Sequence, residues 1–317
     1  MAESTDSHVI LSLGAGVQST ALALMAVLGE LPGFHHAVAA IFADTGWEPR
    51  GVYDHLHWLV QELGEALPVH IVADRHPDGT PANIYTDTLA LVAYRRERAP
   101  GLPVYVKETR QQNPSLLKTR RHGTPFIEIP VWARDDFTGK IGQMRRQCTG
   151  SYKIAPIYRC TRELVARPPR IRKTKPPFVE MWVGISAEER DKRCKPSREP
   201  WITNRWPLRE LGMSRQDCER WLLERYGRVV FKSACVACPF HDDAYWLSMR
   251  EHQPDEWEQA CDFDEQIRFL PGIRGQCFVH RSCVPLREID FNLTSRERRL
   301  EARGQMGLFD PSDMCHL

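Results

Sequence analysis

The chain has 317 residues, 42% of them hydrophobic, enough to bury a substantial core in one large domain or two small ones. Its 43 basic and 41 acidic residues leave a formal charge of +2, so a polyanion would have to be met by a local patch, not by the overall field. No stretch reads as a signal peptide or a membrane span, and 10 cysteines without an export signal argue for metal or redox chemistry in a cytoplasmic protein over a disulfide framework.

His8 to Ser12 is a short apolar run ahead of a glycine loop, which predicts a buried strand, and Ser19 to Leu28 is rich in Ala and Leu, which predicts a helix. A second strand is expected over Ala37 to Phe42, leading into Asp44-Thr45-Gly46. Tyr53, Leu56, Leu59, Val60 and Leu63 then fall at helical spacing, and Val69 to Val72 reads as a third strand. This alternation predicts an α/β fold: a Rossmann-like parallel sheet with helices on both faces and ligands at the carboxyl ends of the strands. From Pro77 to Gly142 the pattern weakens, and with its basic stretch Lys118 to His122 the region reads as loop over or beside the sheet. Tyr152 to Val165 reads as helix, 167–177 as a basic connection and Phe178 to Ile185 as another strand. Beyond Lys232, cysteines, tryptophans and short helical pieces dominate. The expected division is therefore 1–232 as a nucleotide-binding domain and 233–317 as a smaller, Cys-rich, mostly helical region.

Four segments carry chemistry. In Ser12-Leu13-Gly14-Ala15-Gly16-Val17-Gln18-Ser19-Thr20, the glycines permit unusual backbone angles and the helix start directs unpaired N–H groups at an anion. The Ser12, Ser19 and Thr20 hydroxyls add donors. A Gly-Lys-Ser/Thr ending and a Gly-x-Gly-x-x-Gly pattern are both absent, which excludes a Walker loop and the usual dinucleotide fingerprint. In Phe42-Ala43-Asp44-Thr45-Gly46-Trp47-Glu48-Pro49, a carboxylate stands at a strand end, where it would bind ribose hydroxyls or a metal, or cap the next helix. Arg145-Arg146-Gln147-Cys148-Thr149 with Lys153, Ile154 and Pro156 sets two guanidiniums and an ammonium around a thiol. Gly184 to Arg190 follows a strand and ends in Glu188, Glu189 and Arg190.

Together these segments resemble the adenine nucleotide alpha-hydrolase (PP-loop) superfamily, in particular PAPS reductases and their DNA-phosphorothioation (DndC-like) relatives. The first resembles the Ser-Gly-Gly-x-Asp-Ser loop, with Gln18 standing where the family usually has Asp. The second resembles the Asp-Thr-Gly segment, and the third the Arg-x-Cys-Thr-x-x-x-Lys-Ile-x-Pro segment. The resemblance implies an adenine nucleotide, ATP with Mg²⁺, held by Ser12, Gly14, Gly16, Gln18, Ser19, Thr20, Asp44, Thr45, Arg146, Lys153 and Arg190. It also implies Cys148, Lys153 and Asp44 as the catalytic group. The implied reaction is of ATP pyrophosphatase type, activating an acceptor by adenylylation for sulfur transfer or nucleic-acid modification. A sulfonucleotide reductase and a non-catalytic ATP-binding accessory protein of a nucleic-acid-targeting complex are the alternatives.

Cys235-Val236-Ala237-Cys238 is a pair able to reach one metal centre, iron–sulfur or zinc. Resemblance to cluster-bearing reductases adds Cys148 and implies a [4Fe–4S] cluster, with Zn²⁺ the alternative for the same thiolates. Cys194, Cys218, Cys277, Cys283 and Cys315 are candidates for the fourth ligand, and we favour Cys283. Cys160, Cys218 and Cys261 read as small buried hydrophobes, and Cys315-His316 as an incidental tail. Trp201, Trp206, Trp221, Trp246 and Trp257 are expected to pack against the core; alternatively, with Arg198, Arg205 and Arg209, they would line a nucleic-acid groove. A homodimer is compatible with these features.

Overall fold

A computed structural model describes residues 8–98, 127–166, 179–270, 273 and 275–292. The basic stretches at 118–122 and 167–177, Phe178 and the Cys315-His316 tail lie outside the described residues. In chain order the elements are β1 (His8–Leu13), α1 (Val17–Leu28), β2 (Ala39–Asp44), α2 (Arg50–Leu63), β3 (Val69–Ala73), α3 (Ile84–Arg98), β4 (Trp132–Arg134) and β5 (Ile141–Gln143). A π-helical turn (Thr149–Ile154) runs directly into α4 (Ala155–Leu164). There follow β6 (Val179–Val183), β7 (Ile202–Arg205), α5 (Pro207–Glu210), α6 (Arg215–Tyr226), α7 (Asp243–His252), α8 (Pro254–Gln266) and β8 (Gln276–Phe278). The described residues divide into two compact units, one within Met1–Ile84 and Thr149–Cys235, the other within Tyr85–Cys148 and Val236–Leu317.

The first unit is built on a five-stranded sheet in the order β3-β2-β1-β6-β7, with every neighbouring pair parallel. Apolar residues on both faces of each central strand make this possible. Val9, Leu11 and Leu13 of β1 pack with Ala40, Phe42 and residues of α1, α2 and α6, whereas Ile10 packs with Ile41, Met181 and the α4 residues Ile157 and Cys160. Helices therefore cover both faces, as the alternating sequence pattern predicts. α1 ends at Gly29, whose left-handed φ of 70° lets its N–H close the last turn. The strand order reverses at β1, which has β2 on one side and β6 on the other. In open α/β sheets that is where a crevice forms at the carboxyl ends of the strands.

In the second unit β5, β4 and β8 form a three-stranded antiparallel sheet. The reading of Pro77 to Gly142 as loop needs correction, since it contains the 15-residue helix α3 as well as β4 and β5. Beyond residue 235 the described elements are the helices α7 and α8, a 3₁₀ turn at Leu286–Glu288 and the short β8. Their core is fastened by Asp264, which is fully buried. Its carboxylate accepts hydrogen bonds from Val279 N (2.7 Å), Leu286 N (3.1 Å) and the Arg268 guanidinium. Arg268 in turn lies over the Phe278 ring, 3.9 Å from its centroid. Among the described residues no helix is long and apolar enough to cross a membrane.

Candidate functional site

The loop after β1 turns within three residues. Ala15 takes a left-handed φ of 52°, unusual for a residue with a side chain. That twist brings the Gly14 and Gly16 amides onto one acceptor, the Ser19 hydroxyl, each at 3.2 Å, while Ser19 Oγ donates to Gly16 O at 3.1 Å. Two backbone donors thus converge on a single oxygen at a helix N-terminus, where the Ser19 hydroxyl satisfies them both. Ser12 is half-buried near the end of β1. Thr20 is fully buried, with its hydroxyl 2.9 Å from His55 Nε2, so it serves the packing of α1 on α2.

The end of β6 closes against this loop. A Cβ on Gly184 would lie 2.8 Å from Ser19 N, so only glycine permits the approach. Gln18 reaches over to the segment after β6, its Nε2 donating to Ser186 Oγ and Glu189 Oε1, both at 3.4 Å. Glu189 also pairs with Arg193 at 2.5 Å. Arg190 is exposed, and among the described residues no carboxylate is paired with it. Arg209 donates to the Glu189 carbonyl at 2.6 Å and pairs with Asp191, and Arg205 bonds Glu180 and Glu210, so both are occupied within the fold. Trp201, Trp246 and Trp257 are buried, as expected of core tryptophans, and Cys160, Cys218 and Cys261 are buried too. Burial pushes the Cys218 and Cys261 thiols up to about 12.

The end of β2 supplies the second half of the site. Asp44 Oδ1 accepts from the Gly46 amide (2.7 Å) and the Tyr53 hydroxyl (2.8 Å), combining a turn cap with an anchor to α2. Burial first, and the bond to Asp44 second, raise the Tyr53 hydroxyl well above its ordinary value, so it remains a donor. Gly46 needs its left-handed φ of 74°, and Asn83 covers it, donating to its carbonyl at 2.7 Å. Thr45 is buried, its hydroxyl 3.3 Å from Glu48 Oε1 and 3.2 Å from Cys235 Sγ. Glu48, which no sequence motif singles out, joins them here. Its side chain is fully buried and accepts from Lys153 Nζ at 3.1 Å and Ser233 Oγ at 3.4 Å. Its only sequence signal is a carboxylate set between Trp47 and Pro49. Lys153 lies in the π-helical turn, a rare form that recurs at functional sites.

The remaining sequence-predicted residues belong to the second unit. Arg146 is exposed, with its guanidinium 5.1 Å from the centroid of the Phe240 ring. Cys148 is half-buried, its amide donating to Glu128 O at 3.1 Å, and Cys238 is half-buried as well. Cys283 is fully buried with a left-handed φ of 54°, its carbonyl accepts from Arg134 at 3.0 Å, and burial pushes its thiol up to about 11. Of the four candidate metal ligands, Cys235 falls in the first unit and Cys148, Cys238 and Cys283 in the second. Among the described residues no group of three or more His, Cys, Asp or Glu side chains is placed to hold a metal ion.

Neither family models nor curated proteins give a match to this chain.

Proposed function

We propose that the first unit binds an adenine nucleotide through the β1–α1 loop and acts on ATP as a PAPS reductase-like enzyme of ATP pyrophosphatase type. The observation that carries this reading is the convergence of the Gly14 and Gly16 amides on one oxygen. Ser19 Oγ holds the position that a phosphate oxygen would take, and rotating that hydroxyl aside releases both donors at the N-terminus of a 12-residue helix. Lys153, with its side chain 32% exposed, adds a point charge for the triphosphate, and Arg190 a second cation. Asp44, half-buried at the end of the neighbouring strand, is the candidate for the ribose hydroxyls or the Mg²⁺ that accompanies ATP, whereas the buried Thr45 hydroxyl is taken up by Glu48 and Cys235.

In the proposed reaction an oxygen of the acceptor forms a bond to the α-phosphorus as the bond from that phosphorus to the bridging oxygen breaks. The electron pair leaves with pyrophosphate. Cations and oriented amides accelerate such a step by stabilising charge that spreads over the phosphoryl oxygens. The activated acceptor then suits sulfur transfer or nucleic-acid modification. A [4Fe–4S] cluster, or Zn²⁺ in its place, is the cofactor that the resemblance implies for Cys148, Cys235, Cys238 and Cys283; among the described residues no three such side chains come together, so no step is routed through it.

One observation favours a second reading. Gln18 brings no carboxylate to the loop, and its amide is spent on Ser186 and Glu189. That suits a non-catalytic ATP-binding protein. Incubation with Mg²⁺ and ATP labelled at the α-phosphorus, with and without candidate nucleic-acid acceptors, separates the two. Labelled AMP or adenylylated acceptor together with pyrophosphate is expected. Bound ATP without any α-phosphate product assigns the accessory role, sulfite release from a sulfonucleotide assigns a reductase, and failure to bind any adenine nucleotide overturns the proposal.

A further inference from the structure

Burying a carboxylate is unfavourable by several kcal/mol unless it is paired and hydrogen-bonded. Glu48 has no exposed side-chain surface, yet four groups from three separate stretches of the first unit are directed at it. Thr45 reaches it from the end of β2 (3.3 Å), Lys153 from the π-helical turn (3.1 Å), and Ser233 (3.4 Å) and Cys235 (3.8 Å) from the stretch after α6. The same stretch abuts the phosphate loop, for a Cβ on Gly16 would lie 3.5 Å from Ser233 N. A continuous chain therefore runs from Gly16 through Ser233 and Glu48 to the Lys153 ammonium. Its buried link is the carboxylate, and its partly exposed end is the cation.

We propose that Glu48 is the positioning residue for Lys153, holding the ammonium from the inside so that its open side meets a phosphate group bound at the β1–α1 loop. This rests on the nucleotide-binding reading above. A flexible four-carbon stem would otherwise leave the charge spread over many rotamers, and one fixed carboxylate removes most of that freedom before the ligand arrives. Thr45 and Ser233 hold the carboxylate itself in place.

The test is Glu48→Gln, which keeps the size and loses the charge, with Glu48→Asp as a variant that keeps the charge on a shorter arm. Equilibrium binding of ATP and of adenosine is measured for each, for Lys153→Met, and for the Glu48→Gln, Lys153→Met double variant. Glu48→Gln is expected to weaken ATP about tenfold, the order of one lost charge-assisted contact, and to leave adenosine unchanged. In the double variant the loss should not exceed that of Lys153→Met alone, because both act through one ammonium. Glu48→Asp should recover part of the ATP affinity. An independent readout needs no nucleotide: mass spectrometry of Lys153 acylation by a water-soluble reagent should show faster labelling in Glu48→Gln. Equal weakening of ATP and adenosine, unchanged ATP binding, fully additive losses or an unchanged acylation rate would each overturn the proposal. If the wild type binds no ATP, the nucleotide reading falls, and the acylation rate alone decides whether Glu48 holds Lys153.

Discussion

Replacing Gly184 by alanine puts a methyl carbon where the backbone of α1 already stands. The added carbon would lie 2.8 Å from Ser19 N, 2.9 Å from Ser19 Cα and 3.1 Å from the Gln18 carbonyl carbon. All three are main-chain atoms in the first turn of a helix, so no side chain can swing aside and either β6 or α1 must shift. Overpacking of this kind costs about 1–3 kcal/mol. For a unit of 150–250 residues each kcal/mol lowers Tm by about 2–4 °C, so Gly184→Ala should lower it by roughly 2–12 °C. The shift falls on Ser19, the acceptor of the two loop amides, so ATP affinity should fall as well. Gly51, in the first turn of α2, provides the control: among the described residues no atom outside its own helical turn lies within 4 Å of an added Cβ, so alanine there should leave both Tm and ATP affinity near the wild-type values. Thermal denaturation and equilibrium ATP binding of both variants give the answer. A Gly184→Ala protein with the Tm and ATP affinity of the wild type would refute the claim that the two strand ends are locked together.

Burial, and then the Arg228 guanidinium, depress His55 from 6.5 to about 4, so the unfolded chain binds its proton more tightly than the folded one. Its contribution, up to about 3 kcal/mol, is fully present above pH 6.5 and lost as pH falls towards 4, so urea midpoints should drop across that window and flatten in His55→Gln. A flat wild-type profile would contradict this. Asp264→Asn should cost about 3–5 kcal/mol, because it leaves the Arg268 charge without its buried partner; an unfolding free energy within about 1 kcal/mol of wild type would show that the neutral amide suffices. Anaerobically purified protein is expected to carry iron and acid-labile sulfide that Cys235→Ser and Cys238→Ser lose. A colourless, zinc-loaded protein would assign the thiolates to zinc, and a metal-free one would leave them as ordinary thiols.

The parts of the fold legible in the sequence are those whose signals are local. β1, the glycine loop and α1 declare themselves within about twenty residues, and Asp44-Thr45-Gly46 marks the end of β2. α3 was obscured although its buried positions, Ile84, Thr88, Leu91 and Val92, keep helical spacing. One of them is polar, and Pro77 and Pro81 before it and Pro100 and Pro103 after it suggest loop. β4, β5 and β8 are three residues each, too short to show alternation, and β8 pairs with β4 from the far end of the chain. The same limit applies at the site. Ser19 was identified from its position after the glycines. That its hydroxyl occupies both loop amides, and that Thr20 turns into the core towards His55, depends on angles no sequence displays. Glu48 stands in a segment that was read, but its meaning lies in Lys153, Ser233 and Cys235, none of them near it in sequence.

The Gly14 and Gly16 amides are the proposed phosphate-binding point of this protein. Selective ¹⁵N-glycine labelling reports on both directly. Titration with ATP and Mg²⁺ should shift these two amide resonances in a saturable way as they exchange the Ser19 hydroxyl for a phosphate oxygen, while Gly227, at the far end of α6, stays unmoved. ATP that leaves Gly14 and Gly16 unperturbed would rule these amides out as the phosphate site, whatever other resonances it shifts.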